Sequence, residues 1–194
     1  MTDAVREGMA LDEFIAAMDA QPFELIRGKR TEKLPELAGE SFIRHRVYLL
    51  IGPDFDDGKR GIVFMRLVYV VPNLNRPGWV EKSRIADVAY FDASRVEAYK
   101  AADPDWGDKP MMLVPDLAVE VIAPDDKYSE VGIKVDAYRA DGVRLVWIVD
   151  PQQEKVIVHH GDDWQPQVLA GDVTLSGADV LPGFTVQVSE IFTV

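Results

Sequence analysis

Two apolar runs of β type constrain the fold of this chain most, and a carboxylate lies inside each of them. The first run is Ile85–Phe91 with Asp87, and the second is Asp116–Ile122 with Glu120. Runs that are apolar at nearly every position are typical of strands buried on both faces of a sheet. A buried carboxylate without a partner costs several kcal/mol or becomes neutral. We therefore expect Asp87 and Glu120 to share a cation, most simply a metal ion.

The order of the predicted elements places these two strands in a mixed sheet. The pattern predicts a short helix before Pro22, a strand pair around Gly28, a helix over 41–50, a strand over 61–71, and a helix between the Glu120 strand and the apolar strand 143–149. The proline-rich segment 97–115 predicts a loop without regular structure. Strand, helix and strand in succession favour an α/β fold. We divide the 194 residues into a helical lead-in over 1–22 and one domain over 23–194.

Composition and charge exclude several function classes. The chain has no cysteine, so it forms no disulfide, thiolate zinc site or cysteine nucleophile. Its net charge of −12 opposes binding to nucleic acid, because that affinity depends on Lys and Arg. Basic residues crowd the first third, so a phosphate-facing surface should come from there, unless they form an ordinary solvated surface. No apolar stretch approaches ~20 residues and no signal peptide is evident, which predicts a cytoplasmic protein without a membrane partner.

A lysine lies on the inward face of the helix that follows Glu120. Val131, Val135 and Tyr138 are spaced as the apolar stripe of a helix, and Lys134 shares their face. This spacing directs Lys134 toward the sheet beside Glu120, and it places Tyr138 in the core. The alternative is that the lysine stem covers apolar surface while its amine reaches water.

Two carboxylates and a lysine in this arrangement are typical of metal-assisted phosphodiester hydrolysis. Asp87, Glu120 and the backbone carbonyl of Val121 would supply oxygen ligands to Mg²⁺ or Mn²⁺. Such an ion lowers the pKa of a bound water and stabilises the departing oxygen. Lys134 would orient the water or neutralise the charge that develops on the phosphorus.

Several short motifs together resemble one known family. They are Glu24–Gly28, His45 at the head of a helix, Arg84–Ala89, Pro115–Val121, Lys134 with Tyr138 and Gly142, Trp147–Pro151, and Leu181–Phe184. From Phe23 onward the chain resembles the Uma2 endonucleases of the PD-(D/E)XK restriction-endonuclease-like superfamily. The resemblance implies a three-layer α/β core with a central four-stranded mixed sheet flanked by helices, plus additional strands. It also matches Asp87 to the metal-binding aspartate, Glu120 to the motif glutamate and Lys134 to a lysine displaced onto a helix.

The chain departs from the simplest superfamily pattern, which places a lysine two residues after the acid. That position is Ile122, so the predicted chemistry depends on Lys134. Glu24 would add a third carboxylate to the metal, as N-terminal acids do in related nucleases, or it is an exposed hairpin residue. His45 would contact phosphate or a metal-bound water, or it is an ordinary surface or core histidine.

The resemblance implies a Mg²⁺- or Mn²⁺-dependent DNA endonuclease that acts as a homodimer. The candidate substrate-binding residues are the basic Arg27, Arg44 and Lys59; a wide shallow cleft rimmed by them would favour DNA, and a closed narrow pocket would favour a small substrate. One alternative is a protein of the same fold that does not cleave and instead binds nucleic acid or a protein. Another is a metal-dependent hydrolase of small phosphorylated molecules, which needs no extended basic surface.

Overall fold

A computed structural model describes residues 8–26, 28–33 and 37–193. Its helices are α1 (Leu11–Ala20), α2 (Ala38–Phe55), α3 (Ala93–Ala102), α4 (Tyr128–Asp141) and α5 (Val188–Phe192). Its strands are β1 (Met9–Ala10), β2 (Phe23–Ile26), β3 (Lys29–Glu32), β4 (Gly61–Met65), β5 (Val68–Val70), β6 (Trp79–Val80), β7 (Ser83–Ile85), β8 (Val88–Asp92), β9 (Leu117–Val121), β10 (Leu145–Asp150), β11 (Lys155–His160), β12 (Gln167–Ala170), β13 (Thr174–Ser176) and β14 (Thr185–Gln187). None of the helices within these described ranges is long and apolar enough to cross a membrane.

The chain divides into two compact units. The smaller comprises the described parts of Met1–Pro35 together with Val68–Ile85 and Tyr99–Val114, and the larger comprises the described parts of Glu36–Leu67 together with Ala86–Ala98 and Pro115–Val194. In the smaller unit, the sheet β3-β2-β7-β5 includes the antiparallel pair β2–β3 predicted around Gly28. The division after residue 22 drawn from the sequence remains a prediction.

A six-stranded mixed sheet forms the centre of the larger unit. Its strand order is β12-β11-β10-β9-β8-β4, and only β9 and β10 pair in parallel. A parallel pair requires a crossover connection, which α4 supplies between β9 and β10. The predicted α/β fold with a central mixed sheet, flanking helices and additional strands is therefore confirmed. The sheet has six strands, two more than the core that the resemblance implied.

The strand β9 directs alternate side chains to two different helices. Val119 and Val121 belong to one buried cluster with Ile43 and Val47 of α2. Glu120 lies between these two valines and contacts α4 instead. Because successive side chains of a strand point to opposite faces, α2 and α4 cover opposite faces of this sheet. The carboxylate of Glu120 is thus placed beneath α4 by its position in the strand.

One helix extends further than the sequence indicated, and another lies partly in a segment predicted as a loop. The helix predicted over 41–50 runs to Phe55 and includes Pro53 in its last turn, because Ile51 and Phe55 are buried in the core and stabilise that turn. The segment 97–115, predicted as a loop, begins within α3 and contains a 3₁₀ turn over Trp106–Asp108. Pattern analysis missed these elements because proline and glycine mark turns without excluding short helices.

Tyr90 in β8 makes the larger unit less stable as the pH rises into the alkaline range. Its hydroxyl donates to the carbonyl of Arg60 at 2.8 Å, and burial, reinforced by Asp92 and Asp116, raises the pKa of Tyr90 to about 12. The unfolded chain releases this proton near pH 10 while the folded chain retains it. The stabilising contribution is therefore complete below pH 10 and is lost toward pH 12, by up to about 3 kcal/mol.

We expect Tyr90→Phe to flatten this alkaline decline. Loss of the hydroxyl should lower the free energy of unfolding near pH 8 by about 1 kcal/mol, because the carbonyl of Arg60 loses its donor. Between pH 10 and 12 the variant should lose less stability than the wild type does. Urea unfolding of both proteins across this range measures the difference. If the free energy of unfolding falls equally steeply with pH in both proteins, the assignment to Tyr90 is contradicted.

Candidate active site

Asp87 and Glu120 meet at one end of the central sheet. Strands β8 and β9 pair with Val88 opposite Val119, so Asp87 and Glu120 occupy the next position on each strand. Both are buried, with 8% and 4% of their surface exposed. The backbone N–H of Val121 donates to Oδ2 of Asp87 at 2.7 Å. The pairing of the strands thus places Asp87 opposite Glu120.

Asp87 also contacts a buried arginine. The Nε of Arg44, on α2, lies 3.4 Å from Oδ1 of Asp87, and Arg44 is only 6% exposed. The guanidinium offsets the charge of Asp87. Arg44 is thus buried next to Asp87, and its role in binding substrate remains a prediction.

Glu120 receives two side chains from α4. Nζ of Lys134 lies 3.0 Å from Oε2, and the hydroxyl of Tyr138 forms a short hydrogen bond to Oε1. Lys134 and Tyr138 are four residues apart, so both lie on the helix face that packs on the sheet. The lysine side chain is 24% exposed, so its amine contacts the carboxylate and still borders solvent. The predicted orientation of Lys134 toward Glu120 agrees with this geometry.

Tyr138 is the site residue that sequence reasoning missed. It was assigned to the core, and it is indeed fully buried. Its hydroxyl, however, binds the carboxylate of Glu120 and limits the positions that this carboxylate can take. A signal was present in the sequence, because a buried tyrosine hydroxyl usually finds a polar partner and Lys134 already marked that helix face.

The structure changes the argument for a shared cation. Arg44 accompanies Asp87 and Lys134 accompanies Glu120, so two positive side chains already balance the two carboxylates. The burial of these acids therefore does not by itself require a metal. Within the described ranges, moreover, no group of three or more His, Cys, Asp or Glu residues is arranged to hold a metal ion.

The donor set nevertheless fits one hard divalent ion. Mg²⁺ is usually bound by one or two carboxylates and keeps several water ligands. A carboxylate has about four lone-pair sites, so it can accept hydrogen bonds and bind a metal ion at the same time. The N–H of Val121 points to Asp87. In a strand, the carbonyl of a residue points to the same side as its N–H, so the Val121 carbonyl also faces Asp87. Asp87, Glu120 and the Val121 carbonyl are therefore compatible oxygen ligands for Mg²⁺ or Mn²⁺.

Glu24 lies in the smaller unit and is not the exposed hairpin residue of the alternative interpretation. It is 1% exposed, its Oε1 accepts from the N–H of Ile85 at 2.9 Å, and its Oε2 lies 3.9 Å from Nζ of Lys33. These contacts join β2 to β7. The role of Glu24 as a third metal ligand remains a prediction.

The other predicted contacts to substrate are dispersed. His45 is exposed on α2, with its ring 6.4 Å from that of Tyr48. Lys59 is exposed just before β4, whose Gly61 pairs with Asp92 at the far end of β8. That end is about 17 Å along the strand from Asp87. Lys59 thus lies far from Asp87 along the sheet, and Arg27 lies outside the described residues.

The carboxylate at the other end of β9 has a structural role. Asp116 is buried, and its Oδ2 lies 2.7 Å from Arg95 and accepts from the N–H of Asp92. Its Oδ1 lies 3.4 Å from Arg144. These contacts hold the start of β9 to its neighbours β8 and β10.

Comparison with known proteins identifies the family. The sequence profile of Uma2, described as "Putative restriction endonuclease", matches residues 11–189. The chain belongs to the Uma2 family. The fold is similar to the crystal structure of "a putative nuclease belonging to DUF820" from Anabaena variabilis, with a TM-score of 0.75, 18% sequence identity, and coverage of 95% of this chain and 97% of that one. No curated protein matches the sequence.

In this Uma2 protein, the lysine that contacts Glu120 lies on a helix. The position two residues after Glu120 is Ile122, and Lys134 of α4 contacts Oε2 of Glu120 instead. An ammonium group therefore reaches the glutamate from the face that α4 covers.

Proposed function

We propose that this protein is a Mg²⁺- or Mn²⁺-dependent endonuclease that hydrolyses DNA phosphodiester bonds at Asp87 and Glu120. One observation carries the proposal: the ammonium of Lys134 lies 3.0 Å from Glu120, while Asp87 occupies the adjoining position on the neighbouring strand. Two carboxylates and one ammonium at a single sheet end are the groups that metal-assisted phosphoryl transfer uses. Membership of a family described as restriction endonucleases supports the same reaction.

The ion would be held by Asp87, Glu120 and the Val121 carbonyl, and when bound it lowers the pKa of water and offsets charge on the phosphate. Arg44 holds the Asp87 carboxylate from the α2 side, and Tyr138 holds Glu120 from the α4 side. Lys134 keeps a positive charge at the solvent border of the site, where it can donate to a phosphate oxygen or to the attacking water. The protein thus supplies fixed ligands and a proton donor.

The charge of the chain predicts weak binding to double-stranded DNA. With a net charge of −12, the protein should make few contacts to phosphates and release few counterions on binding. Its DNA affinity should therefore depend little on salt. A homodimer that cuts both strands and a cytoplasmic location also belong to this proposal. Sedimentation equilibrium tests the dimer, for which twice the monomer mass is expected.

Nicking of supercoiled plasmid and cleavage of single-stranded DNA test the proposed function. Purified protein should cleave with Mn²⁺ or Mg²⁺, and EDTA should abolish cleavage, because the carboxylates alone do not activate water. Calorimetry should detect binding of Mn²⁺. A small phosphodiester is tested in parallel. Cleavage of DNA alone indicates a nuclease, and cleavage of the small phosphodiester alone indicates a hydrolase of small substrates. Absence of both metal binding and cleavage would overturn the proposal and would favour a protein of this fold that only binds its partner.

A further inference from the structure

A cavity of about 380 Å³ lies in the larger unit, beside the first turns of α2 and beyond the ends of β9 and β10. Its walls include Phe42, Ile43, Ile122, Gln152 and Phe192. Pockets for small ligands commonly measure roughly 300–1,000 Å³. The cavity is therefore large enough for a single nucleobase with its sugar.

Two residues of the cavity walls are chain neighbours of residues that contact Asp87. Ile43 precedes Arg44, whose Nε lies 3.4 Å from Asp87. On the opposite wall, Ile122 follows Val121, whose N–H donates to Asp87 at 2.7 Å. Ile43 and Ile122 are thus each one position along the chain from a residue that contacts Asp87. This proximity suits a neighbouring part of the same substrate.

The chemistry of the walls favours a flat, uncharged ring over a phosphate. No Lys or Arg occurs among the described residues that line the cavity, and Glu40 adds a negative charge. Phe42 is 42% exposed and Phe192 is half-buried, so both offer aromatic surface. The side-chain amide of Gln152 can both donate to and accept from the edge of a base.

We propose that this cavity binds one unpaired base of the nucleic-acid strand that is cut, next to the scissile phosphate. The inference rests on the proposed function and names its substrate class as single-stranded or locally unpaired nucleic acid. Stacking on aromatic side chains provides affinity that does not depend on phosphate contacts. An acidic chain gains little from the phosphates, so a base pocket supplies the affinity that its surface charge does not.

Binding, measured separately from cleavage, tests this inference. A twelve-nucleotide oligo-dA and an abasic strand of equal length and charge are titrated by fluorescence anisotropy in the presence of Ca²⁺, using wild type, Phe42→Ala and Leu49→Ala. Leu49 is the matched control, because it is 46% exposed on the same helix and does not line the cavity. Phe42→Ala should weaken binding of oligo-dA about tenfold, and Leu49→Ala should not. The wild type should bind oligo-dA more tightly than the abasic strand.

Equal affinity for oligo-dA and the abasic strand, or equal effects of the two substitutions, would overturn the base pocket. A change of sedimenting mass in Phe42→Ala, with DNA affinity intact, would overturn it in favour of a contact between copies of this chain. Cleavage of the same oligonucleotides with Mn²⁺ is scored separately. Selective binding through Phe42 without cleavage supports the base pocket and counts against nuclease activity. Cleavage without selective binding supports nuclease activity and counts against the base pocket.

Discussion

Replacement of Glu120 by glutamine is expected to abolish metal-dependent cleavage while the protein remains folded. The amide keeps the shape of the side chain and can still accept from Tyr138, but it carries no charge for a metal or for Lys134. A catalytic metal contributes several kcal/mol to the transition state. Loss of one of its two charged ligands should lower the initial rate on the order of 10³-fold.

The matched control is Glu130→Gln. Glu130 is on the same helix as Lys134, its side chain is 62% exposed, and it pairs loosely with Lys127 at 3.7 Å. Exposed pairs of this kind contribute little, so its rate and stability should equal those of the wild type. Rates at saturating Mn²⁺, calorimetric metal titrations and thermal unfolding are measured for all three proteins. Retention of a tenth or more of the wild-type rate in Glu120→Gln would remove Glu120 from the metal site.

The contact between Lys134 and Glu120 was predictable because both signals are local. A run that is apolar on both faces shows that Glu120 is buried, and helical spacing shows which face of α4 carries Lys134. The strand that follows α4 then places that face on the sheet. The contact between Arg44 and Asp87 was not predictable in this way, since it joins α2 to the start of β8 and depends on which face of the sheet α2 covers.

Charge alone did not show where the predicted substrate contacts lie in the fold. Arg44 and Lys59 were grouped because both are basic and lie in the first third of the chain. Composition does not show where a residue lies in the fold, however. The antiparallel pairing of β4 with β8 places Lys59 at the end of the sheet far from Asp87. Tyr138 shows a related limit, because periodicity identifies its buried face and not the partner of its hydroxyl.

Lys134→Met should separate the roles of charge balance and catalysis. Without the ammonium, the buried carboxylate of Glu120 retains the Tyr138 hydroxyl and loses the positive charge at 3.0 Å. Breaking a fully buried pair costs about 3–5 kcal/mol, but the lysine is 24% exposed, so we expect a loss of about 1–3 kcal/mol in the free energy of unfolding without metal. A metal ion can replace the missing positive charge.

Addition of Mn²⁺ should therefore raise the thermal midpoint of Lys134→Met more than that of the wild type, because a ligand that binds only the folded state stabilises it in proportion to its affinity. Affinity for Mn²⁺ should be retained or increased, since one neighbouring cation is gone. The cleavage rate should nevertheless fall by about 10²-fold, because the phosphate loses a charged donor. Lys134→Arg, which keeps the charge, should recover the stability without metal.

Lys127→Met provides the control for Lys134→Met. Lys127 is a residue just before α4 whose side chain is 77% exposed, and its loss should change neither the midpoint nor the rate. If Lys134→Met loses affinity for Mn²⁺ in parallel with its rate, Lys134 acts only by holding Glu120. A lost rate together with intact metal affinity assigns Lys134 to the reaction itself, because the metal then remains bound while the donor to the substrate is missing.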